Sequence, residues 1–478
     1  MKWAVGICVV VALGLVASVS DARPGGGQSY SGGGSYRSSS SSSYRSSSSS
    51  GGGSSDLSTG QGIAALLALG LLVVVVIVAS GASRGDAWTS TRALKAVSPG
   101  GIRPIVAKDP AFSRVGFEDY VYQLYSAAQR ARHDTTALNK FAPYFSAEAL
   151  GSLAQRAWRV EQVVIGSLRI VNVDTDPNTG YSRFVVVIEA NLTRTGGTAN
   201  AVERWIFTRA PNVTSKEPQA TRTFPCPSCG APWAAGNQLN RCAHCNTAIE
   251  IGAFDWTVSQ IHLDAEQNVG HTLKGTVAEV GNDFPTVVDD RAQVELMQLR
   301  QADPSVTWEA LTQRLHMIYG RLNDAWNAQQ LAPVRGLVTS SLLQYLQFWI
   351  DEYKRQSLAN KLEQAKVTHV ALAKVTRDKF YDAITVRMFA DGIDYTVDRI
   401  GSVVGGARET RRAYTEYWTF IRMSSRKGKV TTSPSCPNCG APLAISDAGS
   451  CTHCNSHVEA GEFDWVLSKI EQDDVYRG

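Results

Sequence analysis

The chain carries the same succession of motifs twice, and this repeat constrains its fold more than any other feature. An Asp-Pro opening at Asp109 recurs at Asp303, and each opening precedes a run with apolar residues at helical spacing. Ser113 and Thr307 stand where a helix N-cap is expected. Because an internal repeat marks one structural unit used more than once, we predict two similar modules in series.

Both copies become strand-like after their helices. Short second helices are expected at 145–150 and 338–343. A Glu-x-Trp-x-Phe-x-Arg segment occurs at 203–209 and again at 416–422, and its alternation predicts Trp and Phe on one face of a strand and charges on the other. Further strands are predicted at 167–173, 182–192, 254–261, 367–375, 381–389 and 463–470. Each copy is therefore an α+β unit of about 160 residues, with helices first and a curling antiparallel sheet second.

Eight of the nine cysteines fall into two sets of paired Cys-x-x-Cys motifs. The intervals are two, twelve and two residues in the first set, and two, eleven and two in the second. Such a set can hold one ion about 2.3 Å from four thiolates, which makes a closed structural zinc site with no open position for catalysis. Gly230 and Gly440 stand where the turn needs a positive φ. We predict two structural Zn²⁺ ions in ribbons at 224–250 and 434–459, with the ligands Cys226, Cys229, Cys242, Cys245, Cys436, Cys439, Cys451 and Cys454.

Two alternatives for the cysteines stay open. The sets could form redox disulfides, although a reducing compartment disfavours persistent disulfides and suits thiolate–zinc. His244 or His453 could replace a cysteine as a ligand, but four cysteines already complete the coordination sphere. In both copies the set lies between the Trp-containing strand and the last strand, which predicts a hairpin whose turn is replaced by a ribbon.

The first 90 residues predict targeting and anchoring rather than a folded core. Residues 1–22 have the pattern of a secretory signal peptide cleaved after Ala22, and an uncleaved first membrane helix is the alternative. Residues 23–61 are dominated by Ser and Gly and are expected to form a disordered tether. The uncharged apolar run within 62–80 is long enough, at roughly 25 Å, for a transmembrane helix.

Charges beyond the apolar run predict its orientation. Five basic residues and two acidic ones follow it as far as residue 109, an excess that places the C-terminal side in the cytoplasm. We therefore expect a protein of the cell inner membrane that is single-pass after signal cleavage. Its linkers would lie at 81–108 and 267–302, and its cytoplasmic modules at 109–266 and 303–474.

The Asp-Pro-x-Phe-Ser opening at 109–113, the aromatic helix and the paired Trp strands resemble the TIM forty-four-like domain family. This family includes the C-terminal domain of the import-motor anchor in the mitochondrial inner-membrane translocase, and its bacterial membrane-anchored members have a similar N-terminal layout. The resemblance covers about 109–264 and 303–472. It implies cone-shaped α+β modules like nuclear transport factor two, and binding at a membrane by scaffolding a protein complex or contacting lipid. The family offers no shared catalytic residues, and the duplication and the ribbons depart from its pattern.

A cytoplasm-facing, membrane-anchored scaffold that binds membrane or peripheral proteins is the favoured function. A contact with nucleic acid or the ribosome is the alternative, because basic residues crowd the approach to the second cysteine set. A formal net charge of +4 is too small over 478 residues to predict such binding by itself. The basic residues concerned are Arg408, Arg411, Arg412, Arg422, Arg426, Lys427 and Lys429.

An enzyme that uses the pocket of the cone is the least favoured function. Its candidate residues are His133, Asp134, Glu203 and Glu416, each a single polar residue without convergent partners in the sequence. A helix end and cross-strand charge pairs explain these residues more simply. We therefore expect no enzyme activity, and the sequence indicates no small-molecule substrate.

Overall fold

The computed structural model describes residues 99–156, 158–216, 255–269, 281–428 and 464–473, together with residues 244, 246, 273, 279, 430, 435–436, 438–442, 451–454, 476 and 478. The predicted signal peptide (1–22), tether (23–61) and membrane span (62–80) lie outside these residues, as does the first cysteine set. Among the helices that the structure describes, none combines the length and the apolar composition needed to cross a bilayer.

The first module is built from helices followed by four strands. Its helices are α1 (Pro99–Lys108), α2 (Arg114–Ala131), α3 (Thr135–Asn139) and α4 (Ala147–Ala154), with a 3₁₀ turn at Ala142–Tyr144. Its strands are β1 (Gln162–Thr175), β2 (Ser182–Arg194), β3 (Gly197–Arg209) and β4 (Thr257–Val269), which form one antiparallel sheet in the order β1-β2-β3-β4.

The second module has the same order of elements. Its helices are α5 (Ala292–Ala302), α6 (Trp308–Asn327) and α7 (Ser340–Arg355), with a 3₁₀ turn at Ala332–Val334. Its strands are β5 (Leu358–Arg377), β6 (Tyr381–Asp398), β7 (Val403–Met423) and β8 (Val466–Gln472), again antiparallel and in sequence order. The fold is thus α+β with two four-stranded antiparallel sheets, as the sequence predicts.

The helix starts follow from capping residues. Ser113 accepts a hydrogen bond from the third residue after it, and Thr307 does the same at the start of α6, which confirms both predicted N-caps. Ser146 and Thr339 cap α4 and α7 in the same way. Each hydroxyl satisfies an amide that a helix start would otherwise leave without a partner.

The modules extend beyond the predicted boundaries. Helix α1 lies within the predicted linker 81–108, and Ile102 and Ile105 of this helix are buried in the core of the first module. Helix α5 lies within the predicted linker 267–302, and Leu296 and Leu299 join the core of the second module. Because these apolar residues are spaced three apart, they share one face of each helix and can be buried together.

Two further elements differ in length from the sequence prediction. Helix α7 has 16 residues instead of the short segment predicted at 338–343, because Leu346, Trp349, Ile350 and Tyr353 continue its buried face. Strands β5, β6 and β7 have 20, 18 and 21 residues, whereas their counterparts in the first module have 14, 13 and 13. The second sheet therefore extends further along its first three strands.

Each module packs its helices onto its sheet through a separate aromatic core. In the first module, the Phe184 and Trp256 rings stack with centroids 4.4 Å apart, and Phe117 meets both rings edge-on. In the second module, Tyr319 of α6 packs beside Trp418 of β7 with ring centroids 5.9 Å apart. These aromatic rings join the helices to the sheet in each module, together with the aliphatic residues of the same cores.

The two modules also contact each other. Ser113 Oγ donates to Asp378 in the β5–β6 turn at 2.8 Å, and Lys469 of β8 pairs with Glu118 of α2 at 2.6 Å. Phe380, Tyr381, Ala383, Ile421 and Val466 form a buried apolar cluster at this contact, and Ala111 and Val115 of the first module pack against it. Helix α2 therefore packs on its own sheet and also on the neighbouring module.

Candidate functional site

The second cysteine set comes together in space. Its four sulfur atoms, from Cys436, Cys439, Cys451 and Cys454, all lie within 4.8 Å of one another. The Cys436 and Cys454 sulfurs are 3.8 Å apart, and the Cys439 and Cys451 sulfurs are 4.0 Å apart. Four sulfurs placed about 2.3 Å from a central ion form a tetrahedron with edges of about 3.8 Å, so the set fits a four-sulfur zinc site.

A tight turn holds the first Cys-x-x-Cys pair of this set. The Gly440 N–H donates to the Cys436 carbonyl at 2.8 Å, and the Cys436 N–H donates to the Ala441 carbonyl at 2.7 Å. Gly440 has a φ of 74°, the positive value that the sequence predicts for this position. The Asn438 side-chain amide points at the Cys454 sulfur at 3.5 Å, so the turn also contacts the second pair.

The sulfurs differ in burial. Cys436 and Cys451 are buried, while Cys439 is exposed. The Ala441 amide donates to Cys439 and by itself lowers the pKa of this thiol, but desolvation and the three neighbouring thiols raise the pKa to about 11 overall. Crowded sulfurs therefore resist ionisation unless a cation lies among them, and cation binding would release protons.

The two strands that flank each cysteine set pair with each other, as the sequence predicts. Strands β7 and β8, which flank the second set, pair antiparallel with Trp418 opposite Ile470. Strands β3 and β4 flank the first set, and they pair with Trp205 opposite Ile261. The set formed by Cys226, Cys229, Cys242 and Cys245 itself lies outside the described residues, whereas His453 is described, is exposed and is not among the clustered groups.

A buried carboxylate beside a tryptophan occurs in both modules. Glu203 and Glu416 are 0% and 1% exposed, and each accepts a hydrogen bond from the indole Nε1 of Trp205 or Trp418 at 2.8 Å. Residues two apart on a strand share a face. The prediction that these charges lie opposite the Trp face is therefore wrong, since Glu and Trp occupy the same face.

A buried ion pair also recurs, and sequence reasoning missed it. Asp109 pairs with Arg209 at 2.9 Å, and Asp303 pairs with Arg422 at 3.1 Å. Each Asp opens its module and each Arg ends a Glu-x-Trp-x-Phe-x-Arg segment. The guanidinium carbon of Arg209 lies 4.4 Å from the centroid of the Trp256 ring, and Arg422 lies over Trp465 in the same way. The signal that could have found these pairs is the identical placement of Asp and Arg in both copies.

The surroundings of the two carboxylates differ. Arg156 donates to Glu203 at 2.6 Å, and the Gln129 amide donates at 2.9 Å. Glu416 accepts instead from the neutral Gln472 amide at 3.3 Å, besides its tryptophan. The first module therefore buries this carboxylate beside the Arg156 guanidinium, whereas the corresponding carboxylate of the second module lies beside the Gln472 amide.

Several of the basic residues near the second cysteine set are engaged by other groups of the fold. Arg422 is 2% exposed because it pairs with Asp303. Arg411 pairs with Asp391, and Arg412 pairs with Glu279 at 3.1 Å. Arg426 donates to the Lys427 carbonyl, Arg408 stacks on Tyr395, and Lys429 lies outside the described residues. Part of the predicted basic approach thus serves ion pairs of the fold.

The remaining polar candidates are engaged at a helix end. Asp134 caps α3 by accepting from the amides of Thr136 and Ala137, and His133 Nδ1 lies 3.0 Å from the Arg130 carbonyl oxygen. In the second module, a small apolar cavity of about 20 Å³ lies between α6 and the sheet. A cavity of this size holds about one water molecule.

Comparison with known families identifies one segment of the chain. Residues 292–431 match the Tim44-like domain. The match begins at the first residue of α5 and ends after β7, before Cys436, so it covers the helices and three strands of the second module. No curated protein matches the chain. The second module therefore contains a Tim44-like domain, and the four-cysteine segment and β8 follow the matched residues.

Proposed function

We propose that this protein is a membrane-anchored scaffold whose two modules face the cytoplasm and organise a protein complex at the cell inner membrane. The observation that carries the proposal is the Tim44-like match at 292–431, since the resemblance of these motifs implies membrane-associated binding. The apolar run within 62–80 supplies the anchor, and the basic residues after it orient the chain.

The first module acts as a second copy of the same domain. Its support is the common order of elements, the equivalent N-caps Ser113 and Thr307, and the recurrence of the buried Asp–Arg and Glu–Trp pairs. We infer a duplicated protein of the bacterial membrane-anchored type, with a signal peptide, a Ser/Gly tether and modules joined through α2.

Two structural Zn²⁺ ions complete the proposal, one in each cysteine set. The sulfur distances in the second set fit tetrahedral coordination, and the first set has the same motif in the same hairpin connection. Each ion would hold a ribbon that is too small to have a core of its own. Because four thiolates fill the coordination sphere, the ions have a structural role.

We further propose that the protein binds partners without catalysing a reaction. Glu203 and Glu416 hold tryptophan indoles in place, and Asp134 caps a helix, so these candidates have roles in the fold. Binding to nucleic acid is not favoured either, since Arg422 and Arg411 are engaged with carboxylates. The partners would be membrane proteins, or peripheral proteins that the anchored modules reach.

The proposal is tested by locating the modules and isolating their complex. A reporter active only in the cytoplasm, fused after Gly478, should be active, and a reporter active only outside the cytoplasm should not. Tagged full chain purified from solubilised membranes should bring down a defined set of proteins. A matched chain that lacks residues 1–80 should remain in the cytoplasm, become soluble and lose membrane partners. An active external reporter, or a full chain that purifies without stoichiometric partners, would contradict the proposal.

A further inference from the structure

The first module contains a buried arginine without a carboxylate of its own. Arg132 follows the last residue of α2 and is 1% exposed. Its Nη1 donates to the Gln129 side-chain oxygen at 2.7 Å, whereas Nε and Nη2 are buried with no hydrogen-bond acceptor among the described residues. The Trp158 ring covers the guanidinium, with its centroid 3.9 Å from the guanidinium carbon.

The carboxylates nearby are already engaged. Glu203 and Glu266 both bind Arg156, at 2.6 and 2.7 Å. Glu161 accepts from the Thr195 hydroxyl at 2.9 Å. Desolvation and the nearby Arg156 lower the pKa of Arg132 to about 10, so the guanidinium is still charged at neutral pH. A buried charge without a paired counter-charge is costly, which favours an anion from outside the chain.

A solvent-open groove runs past Trp158, the residue whose ring covers this arginine. It is lined by Trp158, Arg194, residues 195–198 and Asn268. Arg194 also lies over the Trp158 ring, 4.6 Å from its centroid, and its Nη2 donates to the Asn268 side-chain oxygen at 2.7 Å. The guanidinium carbons of Arg132 and Arg194 are thus no more than about 8.5 Å apart, and both groups have only neutral amide acceptors among the described residues.

We propose that Arg132, Trp158 and Arg194 form a binding site for an oxyanion, the carboxylate or phosphate group of a small molecule that enters through this groove. A guanidinium presents several N–H donors in one plane, which suits an oxyanion better than a single amide does. The site is specific to the first module, because the residue at the same distance from the N-cap in α6 is Trp326 instead of arginine. This inference goes beyond the scaffold function and does not depend on it.

The experiment titrates the solubilised full chain with inorganic phosphate or acetate while sodium chloride keeps the ionic strength constant. Thermal unfolding should shift upward in a saturable manner, because an anion that binds the folded chain stabilises it by mass action. The two probes distinguish a phosphate from a carboxylate preference. In Arg132→Gln the apparent affinity for the preferred anion should fall about tenfold or more, as expected for a lost charge-assisted hydrogen bond.

Arg183→Gln is the matched control. It removes the same charge from the same module, but Arg183 pairs with Asp174 away from Trp158, so the affinity should stay within about twofold of the wild type. If Arg132→Gln does not fold, Arg194→Gln replaces it, since Arg194 is half-buried at a strand end, and it should show the same loss. The absence of a saturable shift in the wild type, or equal affinity in the arginine variants and the control, would overturn the proposal.

Discussion

The two modules share the same buried polar pairs but differ in the residues that surround the buried glutamate. In both, a glutamate receives a tryptophan indole N–H at 2.8 Å, and the opening aspartate pairs with the last arginine of β3 or β7. Nineteen residues after the first N-cap stands Arg132 in one module and Trp326 in the other. Ten residues after the N-caps Ser146 and Thr339 stand Arg156 in the first module and Trp349 in the second.

This difference separates what the fold needs from what one module adds. The Asp–Arg and Glu–Trp pairs occur in both modules, so we attribute them to the fold that the modules share. The two arginines of the first module stand where the second has buried tryptophans. Exchanging a buried ion pair for well-packed apolar groups can be neutral or stabilising, whereas removing one partner of such a pair is strongly destabilising. Arg156 is therefore explained by its ion pairs with Glu203 and Glu266, whereas Arg132 has no such pair among the described residues and belongs to the proposed anion site.

The largest expected effect on stability comes from removing the buried Asp–Arg ion pair that both modules contain. Arg209→Ala and Arg422→Ala each leave a buried aspartate without its cation and should each lower the free energy of unfolding by about 3–5 kcal/mol. Denaturant titration of the full chain, followed by tryptophan fluorescence, measures both. If the free energy of unfolding falls strongly in one variant and hardly at all in the other, the two ion pairs do not play equivalent roles and the comparison fails.

A second test exploits the different surroundings of the carboxylates. Glu203→Gln removes the buried counter-charge of Arg156, which keeps only the more exposed Glu266, and should cost about 2–4 kcal/mol. Glu416→Gln keeps an acceptor for the Trp418 indole and should cost only about 1 kcal/mol. Both changes are isosteric, so each serves as the control for the other in the same unfolding experiment. Equal costs would show that Arg156 does not distinguish the two sites energetically.

The smallest effect concerns the contact between the modules and its dependence on pH. Burial alone would raise the pKa of Glu118, but Lys469 and Arg114 outweigh it and lower the pKa to about 2. A carboxyl with a folded-state pKa below its usual 4.5 stabilises the protein above pH 4.5, and this contribution disappears as the pH falls towards 2. Since Lys469 is 44% exposed, the contribution is about 1 kcal/mol.

Glu118→Gln should therefore lower the unfolding temperature at neutral pH and reduce its decline between pH 4.5 and 2. Glu161→Gln, which removes an exposed carboxyl directly before β1, is the control and should leave the decline unchanged. A variant at Glu118 with the same acid profile as the wild type would show that this ion pair does not couple the modules.

Short-range signals predicted much of the fold. The N-caps at Ser113 and Thr307 and the positive φ of Gly440 each depend on a few neighbouring residues. The pairing of the strands around the cysteines is not local, and it was predicted because the repeat places the cysteine set between the same two strands in both copies. The length of α7 was underestimated because its buried positions continue past the first turn. Strand parity already placed Arg422 on the same face as Trp418, so its burial could have been predicted from the sequence.

The polar cluster of the first module could not be predicted in the same way. Arg132, Arg156 and Glu203 come from a helix end, a connection and a strand, and their meeting depends on how α2 lies on the sheet. Each residue alone fits an exposed position, because arginine and glutamate are seldom buried unless paired. Only the three-dimensional arrangement separates these residues from ordinary surface charges.

Zinc content tests the central claim, that the chain contains two copies of one module, most directly. Metal analysis of the reduced full chain should find two zinc ions per chain, one for each four-cysteine set. Cys229→Ser and Cys436→Ser should each lose one ion and keep the other, because the sets belong to different modules. A wild-type chain with a single zinc ion that Cys229→Ser leaves unchanged would contradict the account.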